Sequence, residues 1–220
     1  MHTAAGQLKV RLLGRQAYQP IWQLMQQFTG QRDVSTADEI WLLEHESVFT
    51  LGQAGKEEHL LNPENIPVVK VDRGGQVTWH GPGQLIVYLL LDVRRLGMGV
   101  RDLVDLIEQS LIDYLASLGV VAYARADAPG VYVGEAKIAA LGLKIRRGCS
   151  FHGLSFNINC SLDAFQRINP CGYAGMPVTR LIDLCPDLNT AQVEQDLLTS
   201  IQRRLGHQQV TTISGLQELL

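Results

Sequence analysis

The chain has 220 residues, 46% of them apolar and 19% charged, the balance of a globular protein of one large domain rather than of a disordered chain. Its net charge of −3 offers no general attraction to nucleic acid or to an anionic membrane, and its longest apolar run, residues 85–91, is far below the ~18 residues of a membrane span. The start, Met1-His2-Thr3-Ala4-Ala5-Gly6, has no basic segment followed by an apolar one, so a cytoplasmic protein is expected.

Tyr18, Ile21, Trp22, Met25 and Phe28 recur at helical spacing and predict an amphipathic helix over about 16–30, closed at Gly30. Residues 39–45 read as a buried strand running into a polar end. Residues 68–71 and 85–91 are further strands, with the glycine-rich 73–83 strung between them as a loop. Val100, Leu103, Val104, Ile107, Leu111 and Leu115 define a long helix, with Gly119 as its C′ residue. Strands are then expected at 121–124, 130–133, 137–145 and 150–159, so closely spaced that antiparallel hairpins are favoured over helical crossovers. A short helix over about 162–168, a loop around Cys171, a short helix from about Val178, and a helix from an N-cap at Thr190 to about Leu205 complete the chain. With no repeat or linker, the expectation is one α+β domain over 1–220, a mixed, largely antiparallel sheet flanked by helices.

Three segments carry chemistry. In Asn169-Pro170-Cys171-Gly172-Tyr173-Ala174-Gly175-Met176, Pro170 lacks an N–H and Gly172 permits a positive φ, so the thiol sits in a turn and not in a helix or ladder. A reactive thiol also needs a neighbour that stabilises its thiolate. Cys149 follows Arg146-Arg147-Gly148 and competes on local grounds, whereas Cys160 and Cys185 read as packing residues. His45, His59, His80 and His152 are possible acid/base partners. The cysteine spacings contain no C-x-x-C, and free thiols without a metal are expected.

The second segment, Arg73-Gly74-Gly75-Gln76-Val77-Thr78-Trp79-His80-Gly81-Pro82-Gly83-Gln84, places four glycines and a proline in twelve positions. That density lets backbone amides approach a ligand, but it also describes a tight surface connection. It matches neither a Walker loop nor a dinucleotide fingerprint, and Arg73, Thr78 and His80 favour a site. In the third segment, Lys137 opens an apolar strand, where it is either a surface lysine at an edge or an ammonium with a partner. A thiolate ~4 Å away would gain on the order of 4 kcal/mol at an effective dielectric of ~20, against roughly 2 kcal/mol needed to bring a thiol from about 8.5 to about 7.

These segments, with Lys137-Ile138-Ala139-Ala140-Leu141-Gly142, Arg146-Arg147-Gly148-Cys149-Ser150-Phe151-His152-Gly153, Trp41-Leu42-Leu43-Glu44-His45 and Val48-Phe49-Thr50-Leu51-Gly52, resemble the lipoyl(octanoyl) transferase family over about 38–185. Trp79 stands where the family usually has Tyr, and Ala140 where it usually has Ser. The resemblance implies a fold like the catalytic module of biotin and lipoate protein ligases. It also breaks the tie between thiols: Cys171 takes the nucleophile position and Lys137 that of its pKa-lowering partner. Substrate-binding positions implied are Arg73, Gly74, Gly75, Gln76, Val77, Thr78, Trp79, His80, Ala140, Leu141, Gly142, Gly153, Leu154 and Ser155. The implied donor is octanoyl-acyl carrier protein, and the implied acceptors are lipoyl domains of 2-oxoacid dehydrogenase complexes and the glycine-cleavage H protein. No metal, nucleotide or other cofactor is implied, and a monomer is expected. The nearest rival is an ATP-dependent lipoate or biotin protein ligase, which has a related Arg-Gly-Gly segment and no cysteine nucleophile.

Overall fold

The computed structural model describes residues 7–206 and 209–217, and at Cys171 the backbone alone. The helices are α1 (Tyr18–Gln31), α2 (Val100–Ser117), α3 (Leu181–Leu184) and α4 (Thr190–Leu205). The strands are β1 (Gln7–Gln16), β2 (Asp38–His45), β3 (Val48–Leu51), β4 (Val68–Lys70), β5 (Val77–His80), β6 (Gln84–Leu90), β7 (Tyr123–Ala124), β8 (Gly130–Val133), β9 (Ala136–Arg146), β10 (Cys149–Asn157) and β11 (Gln209–Ser214). An eight-stranded sheet has the order β11-β1-β2-β6-β10-β9-β8-β7, and a three-stranded sheet the order β4-β3-β5. In the large sheet β11, β1 and β2 run parallel and every later neighbour is antiparallel. This is the mixed, largely antiparallel α+β architecture expected. No helix among the described residues is long and apolar enough to cross a membrane.

The centre of the large sheet is apolar on both faces because helices cover both. All seven residues of β6 are buried. Leu85, Val87 and Leu89 pack with Leu103, Ile107 and Leu111 of α2 and with Val193, Leu197 and Ile201 of α4. Ile86, Tyr88 and Leu90 point the other way, to Ile21 and Met25 of α1 and to Trp41. The strand period of two therefore feeds two separate cores from one run of sequence.

Several boundaries differ from the sequence expectation. β1 precedes the first expected element: Leu8, Val10 and Leu12 alternate with Lys9 and Arg11, but Arg11 is buried too, its guanidinium bonded to Glu39 at 2.7 and 3.0 Å. Ion pairing inside the sheet thus hides the polar half of the alternation. β11 was likewise not expected, and it pairs with β1 in parallel. Within the expected loop 73–83, residues 77–80 form β5, antiparallel to β3; the flanking glycines masked a four-residue strand. The segment over 163–167 is a 3-10 turn. The α4 cap is Asn189, whose side chain accepts from the amide of Ala191, so Thr190 is the first helical residue. Helix α1 runs one residue beyond Gly30.

β10 crosses β6 at Gly153, opposite Tyr88. A Cβ built at Gly153 would lie 2.1 Å from the carbonyl oxygen of Val87, a backbone atom that cannot swing aside. Gly153→Ala is expected to lower stability by roughly 1–3 kcal/mol or more, read as a shift of the urea-unfolding midpoint; an unchanged midpoint would refute the close approach.

Candidate active site

A cavity opens on the α1 face of the large sheet, between it and the small sheet. Its walls come from β5, β6, β9 and β10, from Tyr18, from the Arg73–Gln76 loop, and from Phe165, Pro170 and Val178. Of the positions singled out from the sequence, Arg73, Gly75, Gln76, Val77, Thr78, His80, Lys137, Ala140, Leu141, Gly142, Gly153, Leu154 and Ser155 all line it. Two do not. Gly74 lies behind the wall, its amide bonded to the carbonyl of Leu143 at 3.0 Å. Trp79 points away, packed edge-on against Phe165 at 5.5 Å between ring centroids and buried with Phe49 and Leu51.

Arg73 shapes the loop more than it faces solvent. Its Nη2 donates to the Thr50 carbonyl at 2.7 Å and to Thr50 Oγ1 at 2.8 Å, and its Nη1 to the Gly74 carbonyl at 2.9 Å. Gly75 has φ +83°, a turn that only glycine makes without strain.

His80 is buried and starts a chain of polar contacts that ends at Lys137. Its Nδ1 bonds Gln84 Oε1 at 2.9 Å, Gln84 Nε2 donates to Asn157 Oδ1 at 2.8 Å, and Asn157 Nδ2 donates to the Thr179 carbonyl at 3.0 Å. The Thr179 amide in turn donates to the carbonyl of Lys137 at 3.0 Å, and the Lys137 amide to that of Pro177 at 2.9 Å. The stretch just after the cysteine turn is therefore paired with Lys137, with a parallel bridge at Val178.

Lys137 is buried, at 4% exposure. Its Nζ donates to the Pro129 carbonyl at 3.1 Å and lies 5.1 Å from the centroid of the Tyr132 ring. The alternative of a solvated edge lysine does not describe it. The backbone of Pro170–Gly172 forms a 3-10 turn with Pro170 at its start and Gly172 at φ +82°, the conformation its Pro and Gly imply. The side chain of Cys171 lies outside the described residues. Gly172 packs on the ring of His59, whose Nε2 is 3.3 Å from the position of a Cβ there. The other thiols are elsewhere: Cys149 and Cys160 are buried, and burial raises both, Cys160 to about 12. Cys185 is half-buried against the α2–α4 core. None of these three lines the cavity.

The sequence reading missed Tyr18, Ile86, Tyr88, Asn157, Phe165, Pro170 and Val178 as wall residues. Tyr88 had a signal, a hydroxyl inside an otherwise aliphatic run; Tyr18 looked like one more apolar residue of a helical face.

Burial holds the imidazoles of His45, His80 and His152 below their ordinary value of about 6.5, His45 at about 4. Groups depressed by folding contribute stability that is complete above about pH 6.5 and is lost as the pH falls, because the unfolded chain takes up protons that the folded chain refuses. Each such histidine adds a slope of roughly 1.4 kcal/mol per pH unit. Urea unfolding between pH 7 and 5 is expected to show falling stability, and a flat profile would contradict these environments.

The model of the lipoyl protein ligase A/B catalytic domain matches residues 17–202. The chain belongs to the lipoyl protein ligase A/B catalytic domain family. Within it, the chain is 58% identical over 210 residues to an octanoyltransferase of Pseudomonas fluorescens (strain Pf0-1), covering 96% of this chain and 98% of that one. It is 61% identical over 206 residues to an octanoyltransferase of Stutzerimonas stutzeri (strain A1501), covering 94% of each. Solved structures share the family fold at low identity. A lipoate-protein ligase A bound with ATP aligns at TM-score 0.75 and 15% identity over 96% of this chain and 91% of that chain. The biotin protein ligase of Aquifex aeolicus aligns at TM-score 0.53 and 13% identity over 90% and 69%. The family fold thus accounts for the layout of sheet and helices.

Proposed function

We propose that the chain, acting as one catalytic unit, transfers an octanoyl group through a thioester on Cys171, with Lys137 as the acid and base. It is an acyltransferase of lipoate assembly: near-full-length identity to octanoyltransferases carries that assignment. The observation that supports the two-step route is the pairing of residues 177–179 with Lys137, which brings the cysteine turn and a buried ammonium to one cavity.

In the first step the Cys171 thiolate attacks the thioester carbonyl of octanoyl-acyl carrier protein. The carrier sulfur leaves with a proton from Lys137, and an octanoyl-thioester enzyme remains. In the second step a lysine amine of a lipoyl domain attacks that thioester, its proton passes to Lys137, and the Cys171 thiolate is regenerated. Exchange between two thioesters is nearly balanced, and amide formation makes the second transfer downhill. The acceptors are lipoyl domains of 2-oxoacid dehydrogenase complexes and the glycine-cleavage H protein, and the work is done in the cytoplasm. The apolar walls Val77, Ile86, Ala140, Leu141 and Leu154 hold the acyl chain away from water.

The test is incubation with octanoyl-acyl carrier protein and an apo lipoyl domain, without ATP. Octanoylation of the domain is expected, and an absolute requirement for ATP would replace this reading with a ligase.

A further inference from the structure

Resting on the octanoyl-transfer reading, we infer that the end of the cavity remote from Lys137 is an acyl-length stop, a polar wall of Tyr18, Tyr88 and His152 that sets how long a chain is accepted. These three residues line the same cavity as Lys137; the two-step chemistry uses none of them, and of the three only His152 falls in a segment singled out from the sequence.

The wall is built with care for its polar atoms. His152 has φ +63° in the middle of β10, a left-handed conformation uncommon outside glycine. That twist breaks the strand alternation, so Phe151 and His152 stay on one face, their rings stacked at 5.0 Å, with Tyr88 edge-on to His152 at 6.1 Å. The Nε2 of His152 bonds Asp72 Oδ1 at 2.9 Å, and the Asp72 carboxylate is itself held by Trp22 Nε1 at 2.8 Å and Gln26 Nε2 at 3.1 Å. A carboxylate only accepts, so Nε2 carries the proton and Nδ1 keeps a lone pair. That Nδ1 is buried with no hydrogen-bond partner among the described residues, and the Tyr18 hydroxyl is buried beside that of Tyr88. His45 Nδ1 donates to the Gln16 carbonyl at 3.0 Å, so Tyr88 donates its hydroxyl proton to His45 Nε2, at 2.7 Å, and keeps its own lone pairs.

Between this wall and Lys137 the lining includes Ala140, Leu141, Gly142 and Gly153, with the Ser155 hydroxyl beside them. The distance follows from the sheet. Lys137 Nζ is 3.1 Å from the Cβ position of Gly130, which pairs with Ala140, while His152 pairs with Leu143. Two strand spacings across and three residues along put the backbone of His152 ~14 Å from that of Gly130. An extended eight-carbon acyl group measures ~9 Å from carbonyl to methyl carbon with bonds of about 1.5 Å, so it ends just short of the wall. A ten-carbon chain, about 2.5 Å longer, would press its apolar end onto the polar side chains of Tyr18 and His152, and a pocket of fixed length discriminates by such added methylenes.

The experiment compares kcat/KM for hexanoyl to dodecanoyl carrier-protein thioesters, with an apo lipoyl domain as acceptor. The wild type is expected to prefer octanoyl over decanoyl. Tyr18→Phe, which removes only the hydroxyl, and His152→Asn, which shortens the wall with a residue that tolerates the left-handed backbone, are each expected to raise the decanoyl-to-octanoyl ratio roughly tenfold. An unchanged ratio in Tyr18→Phe, or an equal loss at every chain length in both variants, would overturn the stop. A wild type that transfers no acyl group of any length would overturn the transfer reading itself.

Discussion

Cys171→Ala abolishes octanoyl transfer, with an expected fall in kcat/KM of at least ~10⁴, because no other nucleophile can take over a covalent step. The chemistry predicts a second signature. Wild-type protein mixed with octanoyl-acyl carrier protein gains ~126 Da, the mass of an octanoyl group replacing one thiol proton, and the variant gains nothing. Peptide mapping places the adduct on Cys171. Cys149 and Cys160 are buried with thiols raised by burial, so Cys149→Ala is expected to keep the adduct. An adduct that survives Cys171→Ala, or full transfer by that variant, would sink the thioester route. Cys171→Ser tests the same point with near-identical shape, since a hydroxyl in that turn would lack the acidity of a thiol.

Lys137→Met is the second large effect, expected to reduce transfer by ~10²–10⁴. Methionine keeps the unbranched apolar stem, one atom shorter, and removes the charge, so the loss reports on chemistry more than on packing. Two roles are asked of this ammonium: holding a thiolate, and moving a proton to and from the partners. Arginine can do the first and not the second, because it stays protonated. Lys137→Arg is therefore expected to keep much of the reactivity of Cys171 toward an alkylating agent near pH 7, while transfer remains low. Lys137→Met should lose both. Alkylation profiles against pH that coincide for wild type and Lys137→Met would remove Lys137 as the thiolate's partner.

The fold and much of the site were legible in the sequence because both depend on local signals. Apolar periodicity marked α1, α2, α4 and the central strands, and the Pro-Cys-Gly order implied the turn that the backbone of Pro170–Gly172 adopts. What escaped depends on distant partners. Arg11 does not look like a strand-interior residue until Glu39 is beside it. Val77–His80 does not look like a strand until β3 pairs with it. Trp79 and Gly74 belong to the loop that builds the cavity, yet only three-dimensional packing shows one turned outward and the other behind the wall. The polar end at Tyr18, Tyr88 and His152 draws on α1, β6 and β10, and no segment of sequence holds all three.

The cysteine turn is anchored at both ends: Ile168 bridges Leu60 on one side and Val178 bridges Lys137 on the other. On the proposed route two partners, each much larger than the acyl group they exchange, visit the same thiol in turn, and the anchored span resembles a short suspension bridge. Its footings are held by the pairing of Leu60 with Ile168 and of Lys137 with Val178, and on the proposed route one footing is the proton donor itself. Lengthening the span by a single residue between Tyr173 and Met176 would therefore leave sheet, cavity and lysine unaltered and still put the thiol out of step with them.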